Sequence, residues 1–199
     1  MTRCRPAHPP PAPIRYAYRS FDRQYCLPDS RLGDFLRPVL WRVTSARQLF
    51  LTSHIGDVLG SGPGSIVTDS PPDMHHFSGR GGKDVIPLWR DAEAQKPNVT
   101  EGVVESLGAG SPEDIFAYCY ALLTAPDYTA RFSDELEVPG SRIPLTRDRK
   151  LVERAVVLGR ELIWLHTFGE RFIPPGHAAG AVPKGRAEAQ KAVPQAAVA

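Results

Sequence analysis

A chain of 199 residues, 42% hydrophobic and 23% charged, is long enough for one domain with a sizeable core. It contains no run of eighteen apolar residues, which excludes a membrane-spanning helix. Its three cysteines, Cys4, Cys26 and Cys119, are widely spaced; they argue against a disulfide framework or a zinc site and suit a reducing, cytoplasmic compartment. The net charge of +2 conceals an asymmetry. Residues 1–50 hold nine arginines against three acids (Asp22, Asp29, Asp34), a balance of +6, whereas residues 51–199 hold fifteen basic and nineteen acidic side chains, a balance of −4.

Met1–Pro13 begins with charge and then runs into proline where a secretory leader needs an apolar core. It reads as a disordered lead-in. From Ile14 the pattern is strand and loop. Ile14–Tyr18, Gln48–Thr52, Ser65–Thr68 and Val85–Trp89 are short runs rich in Ile, Val and aromatics, each a predicted strand. Leu32–Val43 reads either as a helix interrupted at Pro38 or as a loop. Glycines at Gly60–Gly64 and Arg80–Gly82 mark loops.

The second half is predicted to be helical. Ser111-Pro112-Glu113-Asp114 is a start signal, with a capping serine, a first-turn proline and acids where the helix dipole favours them. Ile115, Cys119, Leu122 and Leu123 follow at helical spacing, and Pro126 ends that helix. Tyr128–Leu136 begins another. Arg142-Ile143-Pro144-Leu145 is an extended connector, because a residue before proline avoids the helical region. Asp148–Phe168 is the longest periodic segment, with Leu151, Ala155, Leu158, Leu162 and Leu165 expected to line its core face. Pro174–Ala199 has no apolar period and reads as a disordered tail. The expected ordered domain is therefore 14–173. Strands first and helices after give an α+β class, with a small mixed sheet in the N-terminal half.

Several motifs come close to known chemistry and fail. Asp69-Ser70-Pro71-Pro72-Asp73 is similar to an amino-methyltransferase tetrad, but Asp73 stands where an aromatic must stack on the flipped base, so the plain reading is a surface turn. Pro72-Asp73 with Lys83 lacks the acid that a restriction-type nuclease needs two residues before the lysine; Gly81 is there instead. Gly79–Asp84 lacks Walker spacing, and Gly60–Gly64 lacks the third glycine of a dinucleotide fingerprint. Asp73, His75 and His76 invite a metal reading, but adjacent histidines in a strand point to opposite faces. No metal, cofactor or catalytic residue is expected. What remains is an arginine-dominated N-terminal segment interleaved with Tyr16, Tyr18, Phe21, Tyr25, Phe35 and Trp41. That composition fits a phosphate- and base-contacting surface, and equally a GC-rich genome.

Six blocks in order resemble one family. Tyr18-Arg19-Ser20-Phe21-Asp22-Arg23 resembles the Tyr-Arg-Pro-Phe-Asp-x-Arg signature that opens the target-recognition region of Type ISP restriction–modification enzymes, with Ser20 in place of the proline. Phe77–Lys83, Ile86–Arg90 with Pro97–Thr100, Asp114–Leu123 with Pro126-Asp127-Tyr128, Arg142–Leu145 and Leu158–His166 resemble later blocks of the same region. The resemblance spans about Arg15–Phe172. Full-length members join a nuclease, a helicase-like motor and an adenine-N6 methyltransferase to this C-terminal domain. Only the last is similar to this chain. It implies the specificity part of a phage-defence system standing alone, a remnant or a separately encoded piece, binding double-stranded DNA and relying on a methyltransferase or helicase–nuclease partner in trans. It implies no enzyme activity and no membrane. The alternative is a relic or protein-interaction domain that no longer binds DNA.

On that reading Arg15, Arg19, Arg23, Arg31, Arg37, Arg42 and Arg47 are the pool for phosphate contacts, some of them spent on internal pairs. The loop Asp73–Lys83, with His75, His76, Ser78, Arg80 and Lys83, is the pool for base edges, Arg80 first among them. The candidate DNA-binding set is thus Arg19, Arg23, Arg42, His75, His76, Ser78, Arg80 and Lys83. Tyr118, Tyr120 and Trp164 are expected to pack rather than to stack on bases. Arg147, Arg149 and Arg154 read as a phosphate-facing set or as a solvated face.

Overall fold

A computed structural model of the chain describes residues 11–29, 31–32, 37–55, 62–77 and 84–182. The first element is a hairpin of β1 (Ile14–Arg19) and β2 (Asp22–Cys26), antiparallel with Ile14 opposite Cys26 and Ala17 opposite Arg23. Its turn places Phe21 at φ 61°, a left-handed conformation held by a residue with a bulky side chain. A short helix α1 (Pro38–Arg42) follows. Pro38 opens this helix rather than interrupting one, because the first helical position has no amide partner to lose.

Three short strands form the central sheet: β3 (Phe50–Ser53), β4 (Ser65–Thr68) and β5 (Val85–Pro87), ordered β4-β3-β5 and antiparallel throughout. The middle strand β3 is buried along its whole length. Pro87 sits on an edge strand, where its missing N–H leaves no ladder bond unmade. The alternation of β3 divides the molecule. Leu51, with Val67 and Ile86 of its neighbours, joins the main core against the helices. Thr52 points to the other face, where the buried His76 covers it.

The helices are α2 (Glu101–Leu107), α3 (Pro112–Thr124), α4 (Pro126–Arg131) and α5 (Arg149–His166). Ser111 caps α3 as its sequence suggests, its hydroxyl accepting from the amide of Asp114 at 3.2 Å. Asp148 caps α5, accepting from Lys150 and Leu151. Pro126 both ends α3 and opens α4, which stops at Arg131; a single 3-10 turn at Glu135–Glu137 completes the stretch read as one helix. Two tyrosines hold the extended connector before α5. Tyr118 donates to the carbonyl of Pro144 at 2.6 Å, and Tyr128 to that of Arg142 at 2.5 Å.

Helices α3 and α5 form the main helical contact, and here the expected core face is corrected. Leu151 and Leu158 are more than half exposed, and Leu165 is exposed too. The buried positions of α5 are Val152, Gly159, Ile163 and Trp164. The face is rotated because α3 approaches so closely that only Gly159 fits: a Cβ there would stand 1.9 Å from the carbonyl oxygen of Ala117. Leucine spacing does not reveal a seam built on glycine. Trp164 lies off this seam, with the ring of His177 edge-on to it at 5.0 Å. The amide of Gly180 donates to the carbonyl of Gly169, so residues 174–182 run back along the end of α5.

Candidate nucleic-acid interface

The hairpin is fixed to the body along two lines. On one side the segment 71–73 runs parallel to β1, with the amide of Ala17 donating to Pro71 and that of Asp73 to Ala17, at 3.1 and 2.8 Å. Asp69 to Pro72 is therefore not a surface turn: it is buried, bends at Asp69-Ser70 and then runs along β1. Successive prolines suit that path, and burial is tolerated because Ser70 donates to the Asp69 carboxylate at 2.9 Å. On the other side Arg23 bridges three groups. It reaches Asp69 at 2.7 Å, the carbonyl of Thr167 at 2.7 Å and Glu170 at 2.9 Å, with its guanidinium over the ring of Phe168. Arg15 also pairs with Glu170, whose carboxyl is held below the usual range by the two arginines against the opposing pull of burial.

The loop after β4 is organised around Asp73. It accepts from the hydroxyl of Tyr16, from the amide of His75 at 2.8 Å and, at 2.7 Å, meets the His75 ring. Ser20 of the hairpin turn donates to the carbonyl of His76 at 2.7 Å. The Nδ1 of His76 lies 3.0 Å from the hydroxyl of Thr52. Burial, opposed by the Asp73 charge, lowers the pKa of His76 from 6.5 to about 4, so the ring is neutral at pH 7.

That shift has a direct consequence. The unfolded chain takes up the proton near pH 6.5, and the folded chain only near pH 4. Between those values the unfolded state binds more protons, so stability falls as pH falls through the window, by about 3 kcal/mol in total, and then levels off. Burial lowers the pKa of His166 as well and adds in the same direction. Urea unfolding at pH 7 and pH 4.5 should show a smaller pH difference in His76→Gln than in the unsubstituted chain. An unchanged difference would remove His76 as the source.

The seven N-terminal arginines sort clearly. Arg15 and Arg23 are tied to Glu170, Arg31 to Asp29, and Arg47 to Glu113 while lying over Trp89. Arg37 is half-buried at the start of α1, close enough for its charge to act on Tyr16 and Asp73. Among the described residues, Arg19 and Arg42 alone of the seven have no acidic partner, and both are exposed. Arg19 lies over the ring of Tyr18, 5.3 Å from its centre, and Tyr18 in turn stands 6.3 Å from the ring of His75. Arg19, Tyr18 and His75 thus form one group where the hairpin meets the loop. Arg23 and His76, from the same candidate set, serve the hairpin's attachment.

Ser78, Arg80 and Lys83 lie outside the described residues. Both flanks of their segment are placed beside the end of β3: Phe77 is buried against the ring of His54, while the amide of Ser53 donates to the carbonyl of Asp84 and that of Ile55 to its carboxylate. Nothing in the sequence marks Asp22–Cys26 as a strand or Asp69 and Glu170 as the acids that brace it. An apolar cavity of about 440 Å³ between β3, β5, α2 and α3, walled by Leu51, Ile86, Ile115, Phe116 and Cys119, offers nothing to a phosphate. Burial pushes its thiol up to about 11, away from nucleophilic use.

The chain is thus an arginine-bearing hairpin braced on an α+β body. The model of the Type ISP C-terminal specificity domain matches residues 3–197, and the chain belongs to that family. Among solved structures, the cryo-EM structure of the DrdV–DNA complex is similar at a TM-score of 0.60 and 21% identity, over 77% of this chain and 16% of that one. A nuclease-deletion mutant of the Type ISP restriction-modification enzyme LlaGI, in complex with a DNA substrate mimic, is similar at 0.56 and 22% identity, over 78% of this chain and 11% of the other. This chain therefore spans a small fraction of either protein's length, and the likeness at such identity is one of fold. No curated protein matches the sequence. No helix among the described residues is long and apolar enough to cross a membrane.

Proposed function

We propose that the chain is a sequence-specific double-stranded DNA recognition domain of a Type ISP-like restriction–modification system, acting in the cytoplasm and depending on other polypeptide for methyl transfer, translocation and cleavage. The observation that carries this reading is the match to the specificity-domain family over residues 3–197. Both structural neighbours are described as DNA complexes, which supports the same substrate. The surface suited to the task is the group of exposed Arg19 and His75 with the half-buried Tyr18, together with exposed Arg42 on α1. Arginine neutralises phosphate, and the imidazole and phenol supply directional contacts to base edges or sugars. Ser78, Arg80 and Lys83, which follow His75 closely in sequence, are the further members of the proposed DNA-contacting set.

The test is a randomised duplex pool titrated with the purified chain at two salt concentrations. One short motif should be enriched, and affinity should fall steeply as salt rises. Arg19→Ala and Arg42→Ala should each weaken binding to all sequences and lower the salt slope by about one if they contact phosphate. Arg80→Ala should instead relax preference at one base position, by about 1–3 kcal/mol. A folded chain that binds no duplex at low salt would favour a relic or protein-interaction domain. Methyl transfer from S-adenosylmethionine by the chain alone would overturn its proposed lack of catalysis.

A further inference from the structure

Helix α5 carries a second apolar stripe whose three leucines the fold leaves exposed, while Ala155 and Leu162 at its edge pack partly on the domain's own core. Leu151, Leu158 and Leu165 recur every seven residues and are 51%, 56% and 37% exposed. Ala155 and the half-buried Leu162 fall between them, four residues after a leucine in each case. This 4-3 alternation is the seam of a coiled-coil helix pair, with Leu151, Leu158 and Leu165 in one set of core positions and Ala155 and Leu162 in the other. The flank of the seam away from α3 carries Arg154 and Glu161, both exposed. Seven residues apart on one helix, they stand about 10 Å from each other along the axis. Among the described residues neither has an ion-pair partner.

We propose that this face pairs with the same face of a second copy of the chain, α5 against α5 in antiparallel orientation. The pattern is self-complementary in that direction and in one register. Leu151 then meets Leu162 of the partner copy, Ala155 meets its Leu158, and the two-fold axis passes between Val156 and Val157. The same register brings Arg154 opposite Glu161 of the other copy, and symmetry makes that pair twice. A parallel pairing would instead set Arg154 against Gly159 and Glu161 against His166 of the other copy, and would make no Arg–Glu pair. An isologous contact of this kind closes as a dimer and leaves no open face to propagate.

The inference is independent of the DNA reading and is tested on the purified full chain without nucleic acid, by sedimentation velocity over a wide concentration range. The expected result is a weight-average mass that rises toward twice that of the monomer. Arg154→Glu and Glu161→Arg each turn both symmetric pairs repulsive, so each should weaken association at least about tenfold. The double variant R154E/E161R restores opposite charges and should recover association to within about threefold of the unsubstituted chain. Leu158→Lys, at a position already exposed in the monomer, should abolish it while leaving circular dichroism and thermal unfolding unchanged. A chain that stays monomeric throughout the range overturns the proposal. So does a dimer that is indifferent to the charge variants, because it would use another surface.

Discussion

Replacing Gly159 with alanine should lower the melting temperature by about 10 °C or prevent folding altogether. The added Cβ would lie 1.9 Å from the oxygen, 2.6 Å from the carbonyl carbon and 3.1 Å from the Cα of Ala117. All three are backbone atoms of α3, so no rotamer change relieves the overlap; one helix must move away from the other. That opens the main core, where Phe116, Ala117, Tyr120 and Ile163 pack together, and unseats the contact between Tyr120 and His166. Overpacking against a rigid neighbour costs roughly 3 kcal/mol or more, which for a domain of this size is about 10 °C. Gly102 in α2 is the internal control. Nothing lies within 4 Å of a Cβ built there, so Gly102→Ala should be neutral or stabilising by up to about 1 kcal/mol. Thermal unfolding of the two variants side by side separates a packing effect from a general effect of removing a helical glycine.

Gly159 also shows where the sequence was legible and where it was not. The ends of α3 and α5 follow from local chemistry: Ser111 before Pro112 and Asp148 before a helical run supply the side-chain acceptor that the first amides need, whatever packs around them. The four predicted strands lie where Ile, Val and aromatics concentrate. The buried face of α5 was misread because a leucine period records apolar side chains, whereas the seam is set by the smallest residue at the point of closest approach. The hairpin partner β2 went unseen for a related reason. Asp22-Arg23-Gln24-Tyr25-Cys26 has neither a clean alternation nor a glycine in the turn, and Phe21 takes the left-handed position instead. Helix α2 is short, and Thr100 makes no side-chain cap bond to announce it.

The candidate site divides along the same line. That arginines cluster in the first fifty residues is a fact of sequence, and so is the place of His75 and His76 after the Pro71-Pro72 pair. Which of these side chains face outward depends on partners up to 155 residues away, such as Glu170 for Arg15. Asp69 looks in sequence like part of a surface turn; in the fold it is the buried acid that draws Arg23 inward. His75 and His76 are neighbours with opposite environments, one exposed beside Tyr18 and the other buried on Thr52. The split comes from a turn closed by the amide of His76 on the carbonyl of Asp73, not from the strand alternation expected of adjacent histidines.

Arg23→Ala should therefore damage the fold, whereas Arg19→Ala, four residues earlier, should leave it intact. The side chain of Asp69 is 2% exposed and that of Arg23 20% exposed, so removing the guanidinium leaves a carboxylate out of water with its main counter-charge gone. Breaking one side of a buried pair costs about 3–5 kcal/mol, and the lower end applies here because Arg15 remains 4.0 Å from Asp69. The carbonyl of Thr167 and the face of Phe168 lose their cation at the same time. Arg23→Lys should recover little, since a single ammonium cannot reproduce a fork that spans two carboxylates and a carbonyl. The double variant Arg23→Met with Asp69→Asn should cost less than the sum of the two single changes, because the buried charge leaves with its partner. Arg19→Ala, exposed and without an acidic partner, should unfold within about 0.5 kcal/mol of the unsubstituted chain. Urea unfolding followed by duplex titration on the same preparations gives the decisive comparison. Loss of DNA affinity with unchanged stability at Arg19, and loss of stability at Arg23, would separate the arginine that faces the duplex from the one that holds the hairpin in place to present it.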